Sequence, residues 1–270
     1  MTKLKVVDLF AGAGGLSLGF KKVGYDIRSH VEIDKRCCET IQANASSTEQ
    51  IFNVDITDHK RYLKDLKASI GGKLDGIIGG PPCQAYSIAG RNKEENRMDE
   101  DPRNFLFESF DYLLRRLKPK FFIFENVTGM LSATPFGIDI NSQIYKSFKK
   151  SSYHVRSNFK ECVFDMSDFG IPQKRKRVII FGVRKSEYKN YEQVVESFYS
   201  LMEKKKKKKK KTVFDAIGDL PKLFPQQISN RISHSSNEEF SEHEPRFHNE
   251  RDIKIFRLLA KYIETGKNKF

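Results

Sequence analysis

The chain has 270 residues, a formal net charge of +14 at pH 7, 38% hydrophobic residues and 31% charged residues. This composition indicates a globular protein with one large domain and a smaller piece. It argues against a membrane protein, because no apolar run approaches the ~20 residues that cross a bilayer. Eight of the positive charges lie in Lys204–Lys211, and the rest of the chain still carries +6. This balance suits a polyanionic partner such as nucleic acid, and a solvated basic surface is the alternative.

The cysteines and the amino terminus indicate the compartment. Cys37 and Cys38 are adjacent, whereas Cys83 and Cys162 stand alone and no CxxC pair is present. This spacing argues against a disulfide framework and a zinc site. The amino terminus enters a strand without the layout of a signal peptide. We therefore expect free thiols, no metal, no membrane partner and a cytoplasmic, nucleoid-associated protein.

Short apolar runs alternate with helix-like stretches as far as Arg184. Strands are predicted at "KVVDLF", "IRSHVEI", "IFNV", "LDGIIGG", "KFFIFENV" and "RVIIFGV". Helices are predicted at Leu16–Val23, Lys35–Asn44, His59–Ile70, Asn104–Leu117 and Asn141–Ser152. The alternation predicts an α/β fold, with a mainly parallel sheet and helices on both faces. Right-handed crossovers gather the carboxyl ends of parallel strands along one edge, so we expect ligands to bind there.

The pattern weakens beyond Arg184. A helix is predicted at Tyr191–Met202, and like-charge repulsion should keep the lysine run after it solvated. We therefore divide the chain into a main domain (1–200), a lysine-rich linker or loop (201–211) and a tail (212–270). In the tail, "TVFDAIGDLPKL" is predicted to be ordered, residues 226–250 irregular, and Ile253–Ile263 a short helix.

A glycine-rich turn follows the first strand. Gly12, Gly14 and Gly15 allow a tight turn and a close approach of a ligand to the backbone. The amino end of the next helix would point at the same place. A plain strand-to-helix turn is the alternative. Ser17 stands where a dinucleotide fingerprint has its third glycine, which favours another adenosine-containing ligand over a nicotinamide cofactor.

Acidic residues end the second and third strands. Glu32 lies 20 residues after Gly12, the spacing at which an acidic side chain accepts hydrogen bonds from ribose hydroxyls. Asp55 could accept a bond from an adenine amino group. Either residue alone could be a solvated surface carboxylate. Together, behind a glycine-rich turn, they favour an adenosine ligand.

Cys83 follows the fourth strand directly after two prolines. Pro81 and Pro82 fix two φ angles, so the backbone that enters the cysteine is stiff. A nucleophile gains from such positioning, and the thiolate is its reactive form. A buried, inert thiol is the alternative, but it would not require this stiff approach.

Glu125 and Asn126 end the fifth strand. Glu125 follows the apolar run "FFIF". A carboxyl group in apolar surroundings keeps its proton to higher pH, so Glu125 is a candidate general acid. Asn126 would orient its neighbours through hydrogen bonds. A glutamate turned to solvent is the alternative.

A basic segment, "QKRKR", precedes the last long strand. In an extended segment, residues two apart face the same side, so Arg175 and Arg177 should point together. Two guanidinium groups suit a carbonyl oxygen, a phosphate or a carboxylate. An edge strand kept soluble by charge is the alternative.

These motifs, in this order, resemble those of the cytosine-5 DNA methyltransferases. The resemblance covers about Lys3 to Val183 and rests on "DLFAGAGG", "GGPPCQAYS", "DPRNFLF", "ENV" and "QKRKR". Tyr86 stands where the family usually has phenylalanine. The resemblance implies a Rossmann-like S-adenosylmethionine-dependent methyltransferase fold, with duplex DNA as the substrate.

The resemblance also implies roles for individual residues. The Gly12–Gly15 turn would lie against the methionine part of S-adenosylmethionine, Glu32 would hold the ribose and Asp55 the adenine. Three apolar residues would complete the cofactor site: Phe10, Pro81 and Leu106.

The implied chemistry begins when the Cys83 thiolate attacks carbon 6 of a flipped cytosine. Glu125 would donate a proton to ring nitrogen 3, and Arg177 would bind the cytosine carbonyl with support from Arg175. Carbon 5 then accepts the methyl group. The remaining substrate-binding or supporting residues would be Gln84, Ser87, Asn126, Val127 and Gln173.

The chain departs from the family pattern after Val183. "KTVFDAIGDLP" resembles the entry to a target-recognition region, but no complete region and no closing motif precede Phe270. Residues 1–200 would then be the catalytic and cofactor-binding domain, and residues 212–270 an incomplete recognition region.

A split enzyme with a second polypeptide, a truncated reading frame, and a nonenzymatic cofactor- or DNA-binding subunit all fit this pattern. The complete set of catalytic residue types favours the first two. An RNA cytosine-5 methyltransferase is the rival among enzymes. A restriction–modification role follows by analogy alone.

Overall fold

The computed structural model describes residues 3–82, 105–221, 224–228, 231–235 and 248–265. Cys83, Gln84, Tyr86 and Ser87 therefore lie outside the described residues. Contacts divide the chain into two units, Met1–Lys211 and Thr212–Phe270. In the described part of the chain, no helix combines the length and apolar character that a membrane crossing requires.

The first unit alternates strands and helices. Its strands are β1 (Lys5–Leu9), β2 (Asp26–Glu32), β3 (Gln50–Asn53), β4 (Gly76–Gly79), β5 (Phe121–Val127), β6 (Tyr153–His154), β7 (Val163–Asp165) and β8 (Lys176–Arg184). Its helices are α1 (Gly15–Lys22), α2 (Lys35–Asn44), α3 (His59–Ile70), α4 (Leu106–Leu117), α5 (Ile140–Lys150) and α6 (Tyr191–Lys205).

The sheet has the order β3-β2-β1-β4-β5-β8-β6, and β7 also pairs with β8. The pairs from β3 to β5 are parallel, whereas β8 runs antiparallel to β5, β6 and β7. The prediction of an α/β fold with a mainly parallel sheet is confirmed. Because β8 runs antiparallel to β5, Arg177 near the start of β8 lies opposite Val127 at the carboxyl end of β5.

Helices cover both faces of the sheet. On one face, Leu16 and Phe20 of α1 pack on a small cluster from β1, β2 and β4. Phe198 of α6 stacks on Phe181 of β8 on that same face, with ring centroids 4.3 Å apart. On the other face, α3, α4 and α5 bury a larger apolar core against the strands. Successive side chains of a strand therefore pack into the cores on opposite faces of the sheet, because side chains alternate between the two faces along a pleated strand.

The predicted elements of the first unit lie close to the observed ones. Helices α2 and α3 have the predicted bounds, and the predicted ends of α1, α4 and α5 lie within two residues of the observed ends. The prediction missed β6 and β7, which are too short to show a period. Helix α6 continues past Met202 to Lys205, so Lys204 and Lys205 are helical and not part of a loop, although both side chains are exposed as expected.

In the second unit, the described residues form two helices and one antiparallel pair of strands. These are α7 (Phe214–Ile217), the antiparallel strands β9 (Phe224–Ile228) and β10 (Arg231–Ser235), and α8 (Glu250–Thr265). The prediction that residues 226–250 are irregular is therefore wrong in part. Both strands are rich in glutamine, serine and other polar residues, so they lack the apolar alternation that indicates a strand.

Tyr199 holds α6 on the sheet. Its side chain is 1% exposed. The hydroxyl donates to the Ile179 carbonyl at 3.1 Å and accepts from the Phe181 N–H at 3.1 Å. The guanidinium carbon of Arg156 lies 3.9 Å from the centroid of the ring. One hydroxyl thus joins the middle of β8 to the last turns of α6.

We expect Tyr199→Phe to lower the free energy of unfolding by about 1–3 kcal/mol, because two backbone groups lose their side-chain partner. Urea denaturation followed by circular dichroism measures the change. Tyr191→Phe is the control, since the Tyr191 ring packs on His154 and its hydroxyl has no hydrogen-bond partner among the described residues. Equal stability of the two variants would contradict this account of Tyr199.

Candidate active site

A cavity of about 520 Å³ lies at the carboxyl edge of the parallel strands. This volume falls within the range of small-molecule sites. Its lining comes from the ends of β1 to β4 and the start of α4: Phe10, Val31, Glu32, Ile33, Val54, Asp55, Ile56, Thr57, Gly80, Pro82 and Leu106. Four predicted cofactor residues therefore share one cavity: Phe10, Glu32, Asp55 and Leu106. Pro82 lines it in place of the predicted Pro81.

The predicted glycines Gly12, Gly14 and Gly15 do not line the cavity; their turn follows the lining residue Phe10 and uses left-handed backbone. Gly12 has a φ of 54° and Gly14 a φ of 83°. A Cβ at Gly14 would lie 3.3 Å from the Ile41 side chain, so both conformation and space favour glycine. Phe10 also has a positive φ, 54°, which is uncommon for an aromatic residue. Its strained backbone places the ring on the wall of the cavity.

Glu32 ties this turn to β2. Its Oε2 accepts from the Gly12 N–H at 2.8 Å, and its Oε1 accepts from the N–H groups of Ile33 and Asp34 at 2.9 Å each. An ionised carboxylate offers about four acceptor positions, so a ligand hydroxyl could use a further one. The spacing of 20 residues between Gly12 and Glu32 thus corresponds to a direct contact.

Asp55 is held by the start of the following turn. Its Oδ1 accepts from both the N–H and the hydroxyl of Thr57, at 2.8 and 2.7 Å. The hydrogen bond from the Thr57 backbone, followed by that from its hydroxyl, lowers the pKa of Asp55. Neither donor uses Oδ2. Asp55 therefore offers the cavity an ionised acceptor at the end of β3, whereas Phe10 lies at the end of β1.

A guanidinium group contacts the carboxylate of Glu125. Arg177 Nε lies 2.9 Å from Glu125 Oε1, with side chains 19% and 28% exposed. Arg177 Nη1 also donates to the Lys176 carbonyl at 2.8 Å. The expectation that Glu125 has purely apolar surroundings is wrong. The run "FFIF" does not reveal the cation, because Arg177 arrives from β8, far along the chain.

Gly80 connects the cavity to this ion pair. It lines the cavity, and a Cβ placed on it would lie 2.9 Å from Glu125 Oε2. A larger residue would displace the carboxylate. The absence of a side chain at Gly80 therefore lets Glu125 lie at the edge of the cavity.

Asn126 holds the backbone that leads to Cys83. Its side chain is buried, and Nδ2 donates to the Pro81 carbonyl at 3.3 Å, while Oδ1 accepts from the Val127 N–H at 2.8 Å. The amide thus joins the end of β5 to the proline pair. Cys83, Gln84 and Ser87 lie beyond Pro82, outside the described residues.

Arg175 and Gln173 lie away from this group. Both are exposed. The Arg175 N–H donates to Asp165 Oδ1 at 3.3 Å, and the Gln173 N–H donates to the Ile171 carbonyl at 2.8 Å. Among the described residues, only Arg177 of the predicted arginine pair contacts the carboxylate of Glu125.

The family model for C-5 cytosine-specific DNA methylases matches residues 4–269. The chain belongs to this family. Type II methyltransferase M.Bpa9945I of Bacillus paralicheniformis is 32% identical over 285 residues, which cover 82% of this chain and 62% of the relative. Type II methyltransferase M.AquIA of Picosynechococcus sp. is 31% identical over 258 residues, covering 88% of this chain and 98% of the relative.

A solved structure has the same fold as this chain. It is described as a DNA modification methyltransferase encoded within a prophage of E. coli, and it aligns with a TM-score of 0.61 and 25% identity. The alignment covers 95% of this chain and 69% of that one. The chain spans about half to two thirds of the length of most curated relatives that it matches.

Sequence reasoning missed a buried polar cluster beneath the glycine-rich turn. His30 Nε2 lies 2.9 Å from Glu49 Oε2, and Lys21 Nζ lies 2.8 Å from Glu49 Oε1. On the other side of the ring, Nδ1 lies 4.0 Å from Asp8 Oδ2. The sequence carries one sign of this cluster. Asp8 in "DLF" and His30 in "SHVE" are titratable residues that lie inside predicted strands.

Burial sets the protonation of this cluster. Asp8 is 1% exposed, and neither carboxyl oxygen has a hydrogen-bond partner among the described residues. Burial raises the pKa of Asp8 to about 7, although neighbouring Ser17 opposes the shift. Burial also opposes ionisation of Glu49, but hydrogen bonds from Lys21, His30 and Ser46 outweigh it and lower the pKa of Glu49 to about 2. Burial lowers the pKa of His30.

We expect Asp8 to make stability depend on pH. Its contribution to the free energy of unfolding is fully present below the unfolded pKa near 3.8 and is lost as the pH rises through about 7. Asp8→Asn removes this titration, so its stability relative to the native chain should rise between pH 4 and pH 8 by up to about 4 kcal/mol. Urea denaturation at a series of pH values measures the difference. Asp65→Asn, at an exposed position of α3, is the control, and a pH-independent difference for Asp8→Asn would refute the expectation.

Proposed function

We propose that this chain is the catalytic part of a DNA cytosine-5 methyltransferase. It would transfer a methyl group from S-adenosylmethionine to carbon 5 of a flipped cytosine in duplex DNA, as the modification enzyme of a restriction–modification system. The observation that carries the proposal is the position of Gly80, which borders both the cavity and the Glu125–Arg177 pair. A cofactor site and a base-binding pair that share a border suit a transfer between two bound molecules.

The cavity residues fit S-adenosylmethionine. Glu32 and Asp55 offer acceptors for ribose hydroxyls and an adenine amino group, and Phe10, Ile33 and Leu106 offer apolar surface for the rings. Ile33, which sequence reasoning missed, is 66% exposed at this border and would be covered by the bound ligand. When bound, S-adenosylmethionine supplies an activated methyl group. The Gly12–Gly15 turn would lie against its methionine part.

The ion pair supplies groups for the cytosine ring. Arg177 contacts Glu125 through Nε, and its remaining N–H groups can bind the cytosine carbonyl. Glu125 Oε2, the oxygen beside Gly80, would carry the proton that ring nitrogen 3 receives. Asn126 and Val127 support this arrangement, as Asn126 Oδ1 accepts from the Val127 N–H.

Cys83 would provide the nucleophile. Its thiolate forms a bond to carbon 6, which makes carbon 5 electron-rich enough to accept the methyl group. Loss of the proton from carbon 5 and cleavage of the sulfur–carbon bond then restore the aromatic ring. Asn126 would position the entry to this cysteine through its hydrogen bond to Pro81. Gln84, Ser87, Arg175 and Gln173 would contact or support the base.

Target recognition would come from a further segment or a second polypeptide. Most matched relatives extend well beyond the length of this chain, whereas M.AquIA matches over 98% of its own length. Residues 1–200 would form the catalytic and cofactor-binding domain, and residues 212–270 the entry to the recognition region. The reaction would take place in the cytoplasm, on nucleoid DNA.

We expect Glu32→Gln to weaken S-adenosylmethionine binding by about tenfold or more, because an amide nitrogen cannot accept the backbone hydrogen bonds that one carboxylate oxygen accepts. Calorimetric titration measures the affinity. Glu39→Gln, at an exposed position of α2, is the matched control. Native affinity in Glu32→Gln would remove Glu32 from the cofactor site.

We expect the chain to form a denaturation-resistant adduct with duplex DNA that contains 5-fluorocytosine, in the presence of S-adenosylmethionine. Fluorine cannot leave carbon 5 as a proton does, so the covalent step should stall. Cys83→Ala should form no adduct and still bind the cofactor, whereas Cys37→Ala should form the adduct. An adduct with fluorinated RNA but not DNA would support the RNA methyltransferase. No adduct with the native chain would contradict catalysis by this chain alone.

A further inference from the structure

The carboxyl edge of the sheet carries a second basic feature beside Arg177. Strand β7 pairs with β8 so that Phe164 lies opposite Arg177 and Asp165 opposite Lys176. The turn that follows β7, Met166–Phe169, therefore lies at the same edge as the Glu125–Arg177 pair. Helix α6 ends at Lys205, and the rest of the lysine run continues along this turn.

Specific contacts hold the lysine run against the turn. The Lys207 N–H donates to the Asp168 carbonyl at 2.6 Å, and Lys210 Nζ lies 2.7 Å from Asp168 Oδ1 and 3.2 Å from Ser167 Oγ. The aliphatic part of the Lys207 side chain passes over Gly170. A Cβ placed on Gly170 would lie 3.6 Å from Cε of Lys207. The run is thus a loop that is anchored to the fold at this edge, although most of its side chains are exposed to solvent as expected.

Phe164 and Glu203 hold a third lysine. Lys206 Nζ lies 5.7 Å from the centroid of the Phe164 ring and 2.7 Å from Glu203 Oε2. Phe164 in turn stacks on Tyr199, which fixes α6 to β8. The position of the run is therefore set by the same core that positions Arg177.

Most of the charge on this surface is not neutralised by the protein. Lys205, Lys208, Lys209 and Lys211 are exposed and form no ion pair among the described residues. The neighbouring start of β8 adds three exposed cations: Lys174, Arg175 and Lys176. Like charges held within a Debye length of ~8–10 Å repel one another, and a polyanion relieves that repulsion.

We propose that this surface, Lys204–Lys211 together with Lys174–Lys176, binds the phosphate backbone of duplex DNA beside the pocket for the flipped base. The inference rests on the proposed function. The six residues Lys206–Lys211 span at most ~20 Å, and the bend at Lys208 and Lys209 shortens this length, so they reach no more than about six phosphates along one strand. Phosphate contacts position a protein on DNA and carry no sequence information, so this surface supplies affinity and orientation to whichever segment reads the bases.

A charge-matched pair of variants tests the proposal in the full chain. The first changes Lys205, Lys208, Lys209 and Lys211 to glutamine and keeps the contacts of Lys206, Lys207 and Lys210. The control changes Lys3, Lys22, Lys67 and Lys73 to glutamine. These four exposed lysines lie at the opposite, amino-terminal edge of the parallel strands. Both variants lose the same net charge. Urea denaturation verifies that both are folded.

Fluorescence anisotropy with a short labelled duplex measures the affinity at several salt concentrations. We expect the first variant to bind duplex DNA about tenfold or more weakly, and its slope of log affinity against log salt to fall by about 2–4, at ~0.9 per lost phosphate contact. The control should keep the native slope. Equal losses in the two variants, or an unchanged slope in the first, would overturn the proposal.

Two further measurements separate this inference from the proposed function. The same titration with RNA distinguishes the partner, because a larger loss of affinity for RNA than for duplex DNA would overturn the assignment to DNA. The Cys83-dependent adduct tests the catalytic proposal independently. Equal slopes in the variants with a normal adduct would refute the lysine surface alone, and a slope difference without any adduct would support the lysine surface and contradict catalysis by this chain alone.

Discussion

The antiparallel pairing of β8 with β5 is the contact on which the site depends. Seven residue pairs, from Phe121 opposite Val183 to Val127 opposite Arg177, set the register of the two strands. A shift of one residue would turn every side chain of β8 to the other face of the sheet. Arg177 would then leave Glu125. The same strand carries β7 and, through Tyr199, helix α6, so the basic surface at this edge depends on the same register.

The parallel half of the sheet contributes a different kind of order. Strands β1 to β4 end together, and their ends are joined by backbone hydrogen bonds to carboxylates rather than by side-chain pairs. Glu32 joins β2 to the turn after β1, and Asp55 holds the turn after β3. Beneath them, the buried cluster of Asp8, His30 and Glu49 introduces charge into the interior. The half of the site that we propose for adenosine is thus built from local turns, whereas the half that we propose for the base needs a strand from far along the chain.

This division explains which features the sequence predicts. Apolar periodicity is local, so it indicated the six main strands, and the bounds of α2 and α3 agree with the structure. The pairing of Glu125 with Arg177 depends on strand order and register, which no local pattern reveals. The β9–β10 hairpin was missed because its residues are mostly polar. The contacts that anchor the lysine run were missed because they involve Asp168 and Phe164, which lie more than thirty positions earlier.

Glu32 has a consequence for how a ligand meets this protein. A free glutamate side chain loses rotamer entropy when it is immobilised by a ligand, which weakens the net affinity. Three backbone N–H groups already immobilise this carboxylate before any ligand arrives. The Glu32 side chain therefore becomes ordered during folding. A ligand hydroxyl would then meet a carboxylate whose orientation is already fixed. Selectivity at this position would then come from rigidity. If the hydroxyl of a ligand is displaced, the Glu32 side chain cannot move with it to keep the hydrogen bond.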